Sequence, residues 1–462
     1  MTLGAVPESE FLRWKQFGFT HIWLMGIWEV GLRSRVHSLA HVREQAVGLG
    51  CHESEIHGST YSIAGYRVDE RLGGEDGLLQ FRERLHRHGL SLILDFIPNH
   101  IGLDHSWIRE RPELLVHNHR KIPGTFREHT KAGIRFIAHG KDPYFPPWSD
   151  TAQVDYRNPE ARLLMRQELL SIANRCDGVR CDMAMLMLND VFEKTWSTFP
   201  TNHPAPQQEF WSEAIPAVRS AHPRFLFLAE AYWDLEPRLQ QLGFDFVYLK
   251  TFYDHLIARR YRELTAFLER PVSFLEHGAF FLENHDEPRI AHLLSWPEHQ
   301  AAALLLLSLP GLRLLHEGQL EGLSKRISVH LGRRPPDDPS HEVVRFYEKL
   351  LAFLPTTFVG KGRWRLLEAD PEMSGGSVPS GVLFIQWQSA ADAFDVVAVN
   401  LSAESAACRV QLPGAQNTLK GWICTSEFSV SSLQHVDWRL IGQSLFLIVQ
   451  PHHGQVLRFR AA

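Results

Sequence analysis

Three short apolar runs of this chain each finish in a carboxylic acid: Gly178-Val-Arg-Cys-Asp182, Phe225-Leu-Phe-Leu-Ala-Glu230 and Phe280-Phe-Leu-Glu-Asn-His-Asp286. A fourth, Leu92-Ile-Leu-Asp95-Phe-Ile-Pro-Asn99-His100, ends in a polar cluster of the same kind. A parallel α/β barrel keeps its chemistry at the carboxyl ends of separate buried strands, so the pattern predicts an enzyme whose acids include Asp182, Glu230 and Asp286. Arg180 stands two residues before Asp182, which on a strand puts both side chains on one side. A guanidinium there is expected to keep the aspartate ionised.

The elements that must position these acids follow from hydrophobic periodicity. Strands are expected near Phe19 to Met25, Leu90 to Ile97, Gly178 to Ala184, Arg224 to Ala231, Phe244 to Lys250, Phe280 to Asp286 and Leu312 to Glu317. Glu75 to His88, Asn158 to Asn174 and Trp296 to Leu309 carry apolar residues at helical spacing. Repeated βα units assemble into a right-handed barrel, which wants eight strands where the pattern supplies seven. Only a helix-like segment, Ser9 to Phe17, precedes the first of them. The expectation is a barrel lacking its first strand, either open there or belonging to a chain whose true beginning is absent, with two unpaired edges as the consequence.

The barrel is assigned to residues 1–368, with an inserted subdomain near 101–156 that is long, aromatic and proline-containing and walls one side of the cleft. A Gly/Ser/Pro-rich stretch at 371–380 then introduces short runs separated by turns, read as a C-terminal antiparallel, sandwich-like β domain over 369–462.

Composition narrows the class. The 462 residues are 44% hydrophobic and 22% charged with a net charge of -5, which offers no footprint for nucleic acid or an anionic membrane. The longest apolar stretch, Ala301 to Leu309, is too short to cross a bilayer. Five cysteines without CxxC spacing read as reduced and structural, favouring a cytoplasmic protein. The 26 histidines show no HExxH or other zinc-ligand spacing.

In order and strand context the motifs resemble the α-amylase family of retaining glycoside hydrolases and transglycosidases. Its D-x-x-x-N-H region is matched by Asp95, Asn99 and His100, its G-x-R-x-D region by Gly178, Arg180 and Asp182, its strand-end Glu by Glu230, and its N-H-D region by Asn284, His285 and Asp286. Gln153-Val-Asp155-Tyr-Arg-Asn158 looks like the short motif that closes the family's inserted subdomain. The resemblance implies a (β/α)8 TIM-type barrel acting on α-glucosidic bonds of a starch-like glucan or maltooligosaccharide. It casts Asp182 as nucleophile and Glu230 as acid/base, with the two carboxyls about 5 to 5.5 Å apart, as retention requires. Asp286 is cast as the neighbouring charge that stabilises the transition state. Tyr61, Asp95, His100, Arg180, Asn284 and His285 are cast as substrate-binding residues.

Tyr66 reads as packing. For Tyr144, Phe145 and Trp148, a subdomain core is preferred over outer sugar platforms. Where many amylases carry a Lys-His pair after the nucleophile, this chain has Met185 and Leu186. Leaving-group contacts and calcium are therefore both in doubt; no cofactor is required, and Asn99 is a weak candidate for calcium. Two other readings stay open: a catalytically silent carbohydrate-binding homologue, and an α-glucoside isomerase such as one converting maltose to trehalose.

Overall fold

The computed structural model describes residues 2–372, 378–390, 393–413, 422–430 and 438–461. Its contacts group into two compact units, residues 1–248 with 327–336 and residues 249–326 with 337–462.

The first unit holds five strands in one parallel sheet: β1 (His21–Leu24), β2 (Ser91–Phe96), β3 (Gly178–Cys181), β4 (Leu226–Ala229) and β5 (Phe246–Tyr248), hydrogen-bonded in that order. Apart from β1, where burial is partial, these strands are buried almost throughout, as a sheet covered on both faces demands. Helices α1 (Gly74–Arg87) and α2 (Pro159–Ala173) lead into β2 and β3 respectively, and Asn158 caps α2 by accepting from the Glu160 amide at 2.9 Å.

Among the described residues no strand precedes β1; residues 3–5 form a 3₁₀ turn and Glu8–Gln16 an α-helix. Among the described residues the parallel strands of this sheet number seven, the last two being β6 (Gly278–Phe281) and β7 (Leu312–Leu314) of the second unit, which pair with each other.

The inserted segment folds as a three-stranded antiparallel sheet of His117–Asn118, Thr125–Thr130 and Gly133–Ala138. It returns to the barrel through Thr151–Gln153, which pairs with His100–Gly102. The 153–158 motif fastens that return. Gln153 Nε2 donates to the Asn99 carbonyl at 2.8 Å, Tyr156 donates its hydroxyl to the Pro98 carbonyl at 2.9 Å, and Arg157 grips Asp155 through two nitrogens at 2.8 Å.

In the second unit, α3 (Trp296–Ser308) carries the apolar run as far as residue 308, and residues 301–308 are buried on every side. Its partners are the C-terminal sheets: Trp387 donates to the Ser308 carbonyl at 2.8 Å and Gln300 to that of Val430 at 2.9 Å. This explains why the last barrel elements group with the C-terminal part. The two sheets there are antiparallel and enclose a core that includes Phe384, Phe394, Val410, Leu445, Leu447 and Phe459. The first strand of these sheets starts at Arg363, before the boundary at 369 read from sequence. The centre of the Gly/Ser/Pro-rich stretch, 373–377, lies outside the described residues.

Candidate active site

Strand register sets the geometry. Arg180 lies opposite Asp95 on β2 and Leu228 on β4, so the guanidinium starts between the strands that carry the acids. The parallel ladder continues past the strand ends: the Asp182 amide donates to the Phe96 carbonyl at 2.8 Å and the Glu230 amide to the Cys181 carbonyl at 3.0 Å. Both acids are thus held by backbone before any side-chain contact is made.

Arg180 is fully buried and reaches three carboxylates. Its Nη1 is 2.7 Å from Asp182 and 3.5 Å from Asp95, and its Nη2 is 2.8 Å from Glu230. The rings of Trp23, Tyr61 and Tyr248 surround the guanidinium, with centroids 5.3, 5.3 and 5.7 Å away. Glu230 also accepts from the Met183 amide at 2.7 Å and the Tyr232 hydroxyl at 2.6 Å. Met183 reaches that position with φ of 45°, a left-handed conformation at the turn directly after Asp182.

The expectation that Arg180 simply keeps Asp182 ionised needs correction. Burial pushes the Asp182 carboxyl well above the usual aspartate range; Arg180 opposes this, while the charge of Glu230 adds to it. The physical reason is that one guanidinium serves three acids in a dry site.

His100 is neutral, its pKa lowered to about 4 by burial. Its Nε2 lies 3.1 Å from the Tyr61 carbonyl, so in this state the ring's donor serves the backbone that carries Tyr61. A sugar hydroxyl accepting from that donor would have to take the Tyr61 carbonyl's place. Asn99 is buried, and its Oδ1 accepts from Gln153 at 3.0 Å. Among the described residues no group of three or more His, Cys, Asp or Glu side chains is arranged to hold a metal ion. Met185 and Leu186 lie in a buried 3₁₀ turn, Ala184–Met187, which Trp211 anchors by donating to the Ala184 carbonyl at 2.8 Å.

The first unit therefore brings Tyr61, Asp95, His100, Arg180, Asp182 and Glu230 into one cluster. In the second, the Asn284 side chain accepts from the amides of Asp286 at 2.9 Å and Glu287 at 3.0 Å, turning the chain after β6. His285 is buried with Nε2 3.0 Å from Asp286, whose carboxylate is 43% exposed. Three participants escaped the sequence reading: Trp23, Tyr232 and Tyr248. Tyr248 ends its strand as the acids end theirs, and Tyr232 follows Glu230 by two residues, so strand-end position was the available signal. The remaining candidates behave differently from one another. Tyr66 is buried and donates to the Ile97 carbonyl at 2.9 Å, whereas Tyr144 and Phe145 are 59% and 66% exposed and form no core.

Comparison with known proteins agrees with this architecture. Residues 12–122 match the model of the alpha amylase catalytic domain. A 262-residue stretch is 25% identical to alpha-amylase MalA of Haloarcula japonica, covering 55% of this chain and 35% of that protein, so the alignment spans about a third of the relative's length. A noncanonic maltogenic alpha-amylase, AmyB of Thermotoga neapolitana, superposes with a TM-score of 0.72 at 21% identity, over 100% of this chain and 98% of its own. An alpha-amylase of Geobacillus thermoleovorans, crystallised with acarbose, gives 0.68 at 20% identity, over 99% and 92%. The fold is similar to that of the α-amylase (β/α)8 barrels with a C-terminal β domain, with seven parallel strands among the described residues, and the chain resembles that family in both sequence and architecture.

Proposed function

We propose that this chain is a glycoside hydrolase or transglycosidase that cleaves α-glucosidic bonds of starch-like glucans or maltooligosaccharides with retention. The observation that carries the reading is the single guanidinium of Arg180 bridging Asp182 and Glu230 at the ends of adjacent parallel strands. Asp182 attacks the anomeric carbon while Glu230 protonates the departing oxygen. Glu230 then deprotonates the water or sugar that releases the glycosyl group from Asp182, the acid having become the base. Arg180 follows the charge as it passes between the two carboxylates. By its motif position Asp286 stabilises the oxocarbenium-like transition state, and Tyr61 supplies a flat ring to the sugar at the cleavage point. Whether water or a sugar completes the reaction rests on what occupies the leaving-group side.

No described helix is long and apolar enough to cross a membrane. Cys176, Cys181 and Cys408 are free and buried, which suits a cytoplasmic setting. Release of reducing sugar from maltoheptaose tests the reading: the wild-type chain is expected to produce it and Asp182→Asn is not. Equal inertness of both would overturn it.

A further inference from the structure

Between β1 and Tyr61 the chain makes an excursion that none of the acids requires, the Leu32–Gly48 helix. Its first turn lies directly on the segment that carries Tyr61. A side chain at Gly58, where φ is 110°, would meet the Ser34 hydroxyl at 3.0 Å and the Arg35 amide nitrogen at 3.1 Å, so a glycine is needed for the two backbones to come this close. The Arg35 guanidinium adds a hydrogen bond to the Ile56 carbonyl at 3.1 Å.

Residues 327–336 cover the same segment from another side. The amides of His57 and Thr60 donate to the carbonyls of His330 at 2.9 Å and Val329 at 3.2 Å, and the Gly332 amide donates to that of Glu55 at 2.8 Å. Ala46, Cys51, Ile56 and Leu331 form a small buried core, against which Leu39 and Val42 of the helix pack. Polar contacts then join the helix to both neighbours. Ser38 Oγ lies 2.8 Å from His330 Nδ1, and His37 Nε2 lies 2.7 Å from Ser149 Oγ of the inserted subdomain. Arg33 reaches the same subdomain, donating from Nη1 to the Leu103 carbonyl at 2.8 Å and to Glu128 at 2.9 Å. The circuit closes at Ser62, whose hydroxyl donates to the Asp150 carbonyl at 2.7 Å. Helix, 327–336 loop and inserted subdomain are thus joined in one ring around the residues that flank Tyr61.

We infer that this ring is a wall ending the cleft on the glycone side, so that the enzyme takes glucan chains from their non-reducing ends and not at internal bonds. The inference rests on the proposed function and deepens it by naming the position of the bond that is cleaved. Direction follows from sheet order. Glu230, at the end of β4, protonates the leaving oxygen, so the departing half of the substrate extends on its side. Tyr61 belongs to the segment after β1, three places away along the sheet, and the half retained on Asp182 extends towards it. That half contains the anomeric carbon under attack and therefore runs to the non-reducing end of the chain. A wall there leaves room for a short stretch of glucosyl units and excludes any chain that continues beyond it, by clash and not by weaker chemistry.

The test compares maltoheptaose with a derivative whose non-reducing glucose carries a 4,6-O-benzylidene group, which cleavage at internal bonds tolerates and seating of the chain end does not. For the blocked sugar kcat/KM is expected to be about 100-fold lower or less, and the free sugar is expected to yield a first product of one length. Arg33→Ala combined with His37→Ala unpins the helix from the inserted subdomain without touching the acids, and is expected to raise kcat/KM on the blocked sugar about tenfold. No such rise in a folded double variant overturns the helix's part in the wall. Calorimetry with Asp182→Asn reads the exclusion without turnover, with Kd for the blocked sugar expected to be about tenfold higher or more. Cleavage of both sugars at equal kcat/KM overturns the wall and leaves the proposed reaction standing. Inert wild-type enzyme overturns the reaction instead, and the calorimetry then decides the wall: a weaker Kd for the blocked sugar supports it, while equal affinity, or binding of neither sugar, overturns it.

Discussion

Arg180 donates from Nη1 to Asp182 at 2.7 Å, two residues further along the same segment, and fixes the proposed nucleophile while its other terminal nitrogen is occupied by Glu230. A lysine at this position would offer a point charge in place of a planar fork and could not span both acids. Arg180→Lys is expected to fold and to lose about 10²-fold or more in kcat/KM, in line with the loss of a preorganised charge contact. Steady-state kinetics on maltoheptaose checks this.

Crowding of acids around one cation also has a consequence for stability. Because the Asp182 carboxyl is raised in the folded chain, folding favours its protonated form; stability from this group is full below the unfolded value near 3.8 and declines as pH rises through the folded value. Asp182→Asn removes that penalty near neutrality. The variant is expected to lose about 10⁴-fold or more in kcat and to gain about 1 kcal/mol in stability, seen as a higher Tm at pH 7 than the wild type.

Tyr232→Phe removes one neutral donor from Glu230 and leaves the Arg180 and Met183 contacts in place. A hydrogen bond to a charged group contributes about 1.5–3 kcal/mol, so kcat/KM is expected to fall roughly 10- to 100-fold with an unchanged circular dichroism spectrum.

Acid lability follows from histidines held neutral by burial. His100, His105 and His299 each have a pKa lowered to about 4. A group whose folded pKa is depressed contributes stability that is full above its unfolded value near 6.5 and is lost as pH falls towards the folded one. Unfolding free energies from urea titrations should therefore drop steadily between pH 6.5 and 4, by about 1.4 kcal/mol per pH unit for each histidine at most. His299→Gln, which keeps a partner for the Tyr347 hydroxyl now 2.9 Å from His299, should flatten that slope.

Much of this was legible in the sequence because the barrel repeats a simple rule. An apolar run buried on both faces must end where the chain turns, and an acid there declares a site, so Asp182, Glu230 and the strand bearing Arg180 could be read directly. Arg180 sharing its charge among Asp95, Asp182 and Glu230 was not legible, since it depends on the register of β2, β3 and β4. The aromatic enclosure by Trp23, Tyr61 and Tyr248 was hidden for the same reason. Tyr144 and Phe145 were misjudged because an aromatic, proline-containing stretch reads as core; a turn in which buried Asp142 accepts from the amides of Tyr144 at 2.6 Å and Phe145 at 2.9 Å holds these rings outward instead.

Calcium dependence is a further test of the local chemistry. Asn99 Oδ1 is engaged by Gln153, and a hard cation needs roughly six or more oxygen ligands. EDTA treatment is expected to leave both activity and Tm unchanged, measured side by side with a calcium-supplemented sample.

The central claim, a double displacement through Asp182 with Glu230 as acid and then base, is tested most directly by the anomeric form of the first product. Proton NMR of maltoheptaose during the opening minutes of reaction, before mutarotation, should show the new reducing end appearing as the α-anomer. First appearance of the β-anomer would contradict the account.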